Sequence, residues 1–231
     1  DVAGFRTAAP RISDKPALID CRTYKERRDL AYMGAEVLHP ESIFPVRSAG
    51  IPINIRNTFN PAAKGTMIVA DGKQQGKNGR VVTGIAGRKG FTIINIEKDM
   101  MNSEIGFCRK ALSVLEYEGV SFEHMPSGID TLSLVIRDEC LGGNAQKLVN
   151  KLRDALGADS IDIHSGLSLI ATVGHNMASR HGTAATIFTA LADNHINIRM
   201  IDQGSSEMNI IVGVDTFDYE KAISAIYHAF C

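Results

Sequence analysis

A glycine-led helix start beside a pair of carboxylates is the most visible chemistry in this chain. An amphipathic run begins around Ile105-Gly106-Phe107, preceded by the polar loop Asp99–Glu104, DMMNSE. The first turn of a helix leaves backbone N–H groups unpaired and carries the positive end of the dipole, so it suits a carboxylate. Gly106 lets a ligand approach the backbone closely. Downstream, Ser121-Phe122-Glu123 reads as a strand that can supply carbonyl oxygens and a carboxylate to an ammonium. A free amino acid carries both charges. The spacing predicts a pocket for such a zwitterion, closed by the loop, with Glu104 and Glu123 toward a cationic side chain.

Other reactive residue types form no constellation. Cys21, Cys108, Cys140 and Cys231 lie far apart with no Cys-x-x-Cys pair, which argues against zinc. They read as reduced, buried small residues. The seven histidines show no ligand spacing. No metal site is expected, and no Ser/His/Asp arrangement can be placed, so no catalytic residue is assigned. With 25 Lys+Arg against 26 Asp+Glu the net charge is −1, which disfavours nucleic acid and acidic membranes as partners. No apolar run approaches the roughly 20 residues of a membrane span, and no signal peptide is visible. A cytoplasmic location follows as an expectation.

The elements that must position this site come from an internal repeat. Shifting Gly106 onto Gly182 lays Phe91–Ile136 on Leu167–Val212 without a gap. Ile94 meets Ile170, Met101 meets Met177, Leu115 meets Leu191, Phe122 meets Ile198, Gly128 meets Gly204 and Leu134 meets Ile210. The first copy reads strand Phe91–Glu97, a helix with Phe107, Ala111, Val114 and Leu115 on one face, then strands Ser121–Met125 and Thr131–Ile136. A second helix follows through Leu148, Leu152 and Leu156, then strand Ser160–His164. That order, βαββαβ, is the ferredoxin-like unit. The second copy runs through Leu167–Val173, Thr183–Asn194, Asn197–Ile201, Asn209–Asp215 and Tyr219–Phe230, and lacks a fourth strand. Val81–Ala86 is a spare strand that fills the vacancy. The first unit is then inserted in the second, and the two form one rigid body. The second copy carries Arg199 where the first has Glu123, so its pocket is expected to be degenerate.

The region before the repeats differs. Thr23–Met33 is helix-like, while Ile51–Ile55 and Thr66–Val69 are short strands. Ala70–Arg80 (ADGKQQGKNGR) is polar and glycine-rich, a linker signal. Residues 1–69 are too short and strand-poor for an independent domain and read as the end of a larger one.

Four segments carry a family resemblance. Asp1–Ile12 (DVAGFRTAAPRI) is similar to the T-D-V-x-G-x-x-T-x-D-P-R segment of aspartate kinases. Gly34–Pro40 (GAEVLHP) is similar to their G-A-K-V-L-H-P, and Ile51–Thr66 to their I-P-I-x-I-x-N-T-x-x-P-x-x-x-G-T. Gln203–Ile210 (QGSSEMNI) resembles their second ACT domain. The resemblance implies an α+β chain. Residues 1–69 would be the C-terminal piece of an α/β amino-acid-kinase domain and 70–80 a linker. Residues 90–165 would be a first ACT domain, inserted in a second made of 81–89 and 166–231.

It also implies function. The full enzyme would transfer the ATP γ-phosphoryl to L-aspartate with magnesium, giving 4-phospho-L-aspartate. This chain lacks the family's K-F-G-G lysine motif, so it would be inactive alone and would bind no cofactor. Asp1, Arg6, Arg11, Glu36 and Val37 fall on nucleotide-side positions. Met101, Glu104, Gly106, Phe107, Cys108, Ser121, Phe122 and Glu123, with Ser127 in addition, fall on effector positions. The effector would be lysine, with threonine left open by Ile129, where relatives can carry a further acid. A homodimer through the ACT domains is implied. The alternative is a stand-alone amino-acid-binding or dimerisation module.

Overall fold

The computed structural model describes residues 4–8, 16–33, 45–70 and 81–230. They fall into two compact units, residues 89–168 and a discontinuous unit of 1–88 with 169–231. The segments 34–40 and 71–80, with most of 1–12, lie outside the described residues.

In the discontinuous unit, a small sheet precedes the repeats. It has the order β1 (Cys21–Thr23), β3 (Thr66–Val69), β2 (Ile53–Ile55), with β1 parallel and β2 antiparallel to β3. The sequence reading missed β1, whose three residues are too few to show a period. Helix α1 (Tyr24–Tyr32) follows at once. Thr23 caps it: its hydroxyl accepts from the Glu26 amide at 3.2 Å, and Glu26 accepts from the Thr23 amide at 2.8 Å. This reciprocal box satisfies two otherwise orphaned donors.

Two pairs of predicted strands prove continuous. Val81–Ala86 and Phe91–Glu97 merge into β4 (Gly84–Glu97), and Ser160–His164 and Leu167–Val173 merge into β6 (Ser160–Val173). Gly87 and Gly90 read as breaks in sequence but serve the strand. A Cβ on Gly87 would stand 2.9 Å from the Leu169 carbonyl oxygen and 2.7 Å from the Tyr219 ring. The glycine is there for close approach.

Within 89–168, β5 (Thr131–Arg137) pairs antiparallel with β4, Phe91 opposite Arg137 and Glu97 opposite Thr131. β6 lies on the other side of β4. Helices α2 (Phe107–Glu118) and α4 (Ala145–Leu156) pack together, with a short α3 (Asp138–Leu141) between them in sequence. Ile94, Ile96, Leu115, Leu134, Leu152 and their neighbours form the core. Each such side chain contributes about 1.5–3 kcal/mol on full burial. The predicted strand Ser121–Met125 is reduced to one isolated bridge on the outer side of β5, His124 with Val135, and a second bridge, Ser127 with Leu132, lies beyond it. Pro126, with no N–H to donate, sits between them.

The 169–231 part repeats the plan. β6, β8 (Asn209–Asp215) and β7 (Met200–Asp202) lie side by side. α5 (Thr183–Asp193) and α6 (Tyr219–Phe230) pack together. β7 is shorter than the predicted Asn197–Ile201 and shifted toward the C-terminus.

Candidate functional site

The predicted helix start is present. Gly106 has φ 84°, in the left-handed region, and no side chain caps the helix. The Phe107 amide donates back to the Glu104 carbonyl at 3.2 Å. The amides of Cys108 and Arg109 have no carbonyl four residues earlier within the helix, and these are the open donors. Met101 and Phe107 are 6% and 2% exposed and turn into the core, so they offer a ligand only their backbone. Cys108 is a free, half-buried thiol.

Glu104 is already engaged. The ammonium groups of Lys98 and Lys110 each lie 2.6 Å from its carboxylate. Their hydrogen bonds, Lys110 foremost, hold this carboxyl below its usual range. Lys98 also donates to the Leu156 carbonyl at 2.7 Å.

The register divides the predicted contacts into two groups. β5 runs from Thr131, opposite Glu97, to Arg137, opposite Phe91. Ser127 bridges near the first end, beside the loop that leads to Gly106, and the Asn102 amide donates to the Ile129 carbonyl there at 3.2 Å. Ser121, Phe122 and Glu123 lie toward the other end: the Glu123 amide donates to the Val135 carbonyl at 2.8 Å. At roughly 3.3 Å per residue the groups stand on the order of 10 Å apart. One chain does not bring Glu123 and the helix start together.

Glu123 has its own partner. Its carboxylate lies 2.6 Å from the Arg137 Nε, and its side chain is 5% exposed. Arg137 also reaches Glu139 at 2.7 Å. Burial works against the Arg137 charge, but Glu123 and its neighbours outweigh it and raise the guanidinium pKa. Ser121 is exposed with its Oγ 3.5 Å from the Cys140 Sγ, and Phe122 is 40% exposed. The partners Lys98, Lys110 and Arg137 were not found by the sequence reading. Counting the register back from His124 opposite Val135 sets Glu123 opposite Ile136, so counting alone does not find Arg137.

The second repeat has the same glycine start, Gly182 at φ 84°. Here Thr183 stands where the first repeat has the buried Phe107. A cavity of about 470 Å³ opens beside it, lined by Met177, Arg180, His181, Thr183, Gln203 and Glu207 among others. Arg199 pairs with Asp215 at 3.3 Å. The ion pair of the first repeat is thus repeated with its polarity reversed.

Of the nucleotide-side residues, Arg6 is described; its Nη1 donates to the Pro16 carbonyl at 3.1 Å. Asp1, Arg11, Glu36 and Val37 lie outside the described residues. Among the described residues no His/Cys/Asp/Glu group could hold a metal ion, and no helix is long and apolar enough to cross a membrane.

Comparison with known proteins matches residues 170–230 to the ACT domain family. Aspartokinase 3 of Bacillus subtilis is 40% identical over 231 residues, covering all of this chain and 50% of that protein. The crystal structure of Clostridium acetobutylicum aspartate kinase superposes with a TM-score of 0.95 at 55% identity, over 100% of this chain and 53% of that one. Escherichia coli aspartokinase III, crystallised with aspartate and ADP, gives 0.82 at 25% identity over 99% and 50%. Its complex with lysine and aspartate gives 0.79 at 24%, over 100% and 50%. The chain spans about half the length of these relatives.

Proposed function

From a chain that is related along its whole length to the aspartokinases, we infer the regulatory portion of an aspartate kinase. The whole protein phosphorylates L-aspartate with ATP and magnesium to 4-phospho-L-aspartate, and this portion binds an amino acid that inhibits it. The observation that carries the reading is the uncapped start of α2 at Gly106, whose first-turn amides are open to a carboxylate. The E. coli relative, crystallised with lysine, supports an amino-acid effector. The nucleotide and its magnesium are held chiefly by the remainder of the protein.

The spread of the predicted contacts supports a homodimer. Residues 121–127 form the open edge beyond β5, and Met100, Phe122 and Ile129 are exposed near it. Unpaired edges invite a second strand. A two-fold axis across this edge sets the Glu123 end of one copy against the Gly106 end of the other. The effector carboxylate then meets the amides of Cys108 and Arg109, and its ammonium meets Glu123 and the carbonyls of the other copy. Lysine and threonine remain the two effector candidates. Glu104 and Glu123 are both already paired, so a cationic side chain has to displace an internal cation.

Thermal shift with lysine, threonine, methionine and diaminopimelate, followed by calorimetry, tests this. A ligand at ~100 times its Kd stabilises by about 2.7 kcal/mol, or roughly 5–10 °C. Glu123→Ala should keep the fold and lose the shift. No shift with any of the four, in the chain or in the full-length protein, rejects the sensor.

A further inference from the structure

Glu26 is fully buried, and its carboxylate gathers donors from three separate stretches of the chain. Oε2 accepts from the Thr23 amide at 2.8 Å and the Thr23 hydroxyl at 3.1 Å. Oε1 accepts from the Thr83 hydroxyl at 2.5 Å and the His175 amide at 3.0 Å. A helix cap needs only the first oxygen. The second is spent on residues 57 and 149 positions away.

Those two residues occupy particular places. Thr83 immediately precedes β4, and His175 follows β6 by two residues. β4 and β6 are the strands in which the chain passes between the two compact units. Their near ends are joined by the Thr83 amide donating to the Val173 carbonyl at 2.7 Å. At their far ends, the Ser160 hydroxyl donates to Glu97 at 3.0 Å, and the Asp99 amide to Asp159 at 2.7 Å. Asp99 opens the loop that leads to Gly106. Along the chain, β4 leads from Thr83 to the candidate effector loop that opens at Asp99. His175 also begins the 3-10 helix His175–Ser179, whose Met177 and Ala178 line the second-repeat cavity.

On the other side, Glu26 is the third residue of α1. That helix is held to the same repeat by Leu30, whose side chain lies 2.8 Å from where a Cβ on Gly84 would stand, and by Asn209 donating to Asp29 at 3.2 Å. We propose that Glu26 is the positioning residue through which a rearrangement of the repeats reaches helix α1 and the region before it. The proposal rests on the reading above, that the repeats sense an amino acid. A displacement of either strand end must break a hydrogen bond to a buried carboxylate or carry α1 along. A buried charge left without partners is costly, so the helix follows.

The test uses the full-length protein containing this chain, wild type and with Glu26→Gln or Thr83→Val. Phosphoryl transfer to aspartate is measured with saturating L-lysine, L-threonine and both, and binding of the same amino acids by calorimetry. Glu26→Gln should bind the effector within about threefold of wild type, yet keep at least tenfold more residual activity at saturation. Thr83→Val removes one leg and should do the same more weakly, and it stands in should Glu26→Gln fail to fold. Residual activity at the wild-type level in the folded variants, with binding intact, overturns the role of Glu26 alone. A loss of binding matching the loss of inhibition also overturns it. A wild-type protein that is active but neither binds nor responds to these amino acids overturns the sensor reading, and the inference with it.

Discussion

Arg22 is the least comfortable residue described. Its side chain is fully buried, its guanidinium lies 3.8 Å over the Phe5 ring, and none of its three nitrogens has a hydrogen-bond partner. Burial pulls its pKa down to about 9, against the opposing pull of Glu26. A buried charge without hydrogen-bond partners is costly, and an apolar side chain of similar length removes that cost. Arg22→Met should therefore raise the melting temperature at pH 7 by several degrees. From pH 9 toward arginine's ordinary value the unfolded chain holds the extra proton, so the wild type gains stability with pH there. The advantage of Arg22→Met should shrink over that range; thermal melts across it check both signs. Arg137 predicts the opposite. Arg137→Met removes the cation 2.6 Å from the Glu123 carboxylate, 5% exposed, and should destabilise by about 3 kcal/mol in urea titrations. Glu123→Gln in addition should recover much of that loss.

At the scale of elements, glycines separate two demands. A Cβ on Gly174 would lie 2.0 Å from the Val81 carbonyl oxygen, at the point where the ends of β4 and β6 meet. Gly166 has φ 77° and open space around it. Gly174→Ala should cost several kcal/mol, because backbone must move, while Gly166→Ala should cost about 1–2 kcal/mol from conformation alone. Urea midpoints of the two variants measure the difference. The same glycines limited what the sequence disclosed. Helices α2, α4, α5 and α6 were legible because their apolar faces recur at helical spacing, as Phe107, Ala111 and Leu115 do. β4 and β6 read as four strands because Gly87, Gly90 and Gly166 look like punctuation, and sequence does not say which glycine ends a strand and which admits a neighbour. The helix start at Gly106 was legible for the converse reason, since a glycine ahead of an apolar period has a local meaning. The pairing of Glu104 with Lys98 and Lys110 was not, because it depends on loop geometry.

At the scale of the molecule, residues 1–69 and the second repeat belong to one compact unit. Ala8 lies in the core built by Ile187, Leu191, Ile223 and Ile226, and the Ile85 amide donates to the Thr7 carbonyl at 2.7 Å. Deleting 1–69 should leave Thr83 and the His175 amide to water and expose part of that core. The repeats should still fold, with a melting temperature lower by roughly 5–10 °C, about 2–4 °C for each kcal/mol lost. A circular-dichroism melt of the truncated chain decides it. The order of the chain has a further consequence during synthesis. Residues 1–88 leave the ribosome before 89–168 but belong with 169–231, and the other unit, about 80 residues long, is made between them. At about 5–20 residues per second the wait is roughly 4–16 seconds. For that interval the first half of β4 has no β6 to pair with, while the intervening unit already holds all its own strands. Of these two units, nascent chains should therefore complete 89–168 first, and residues 1–88 reach their final partners only after it.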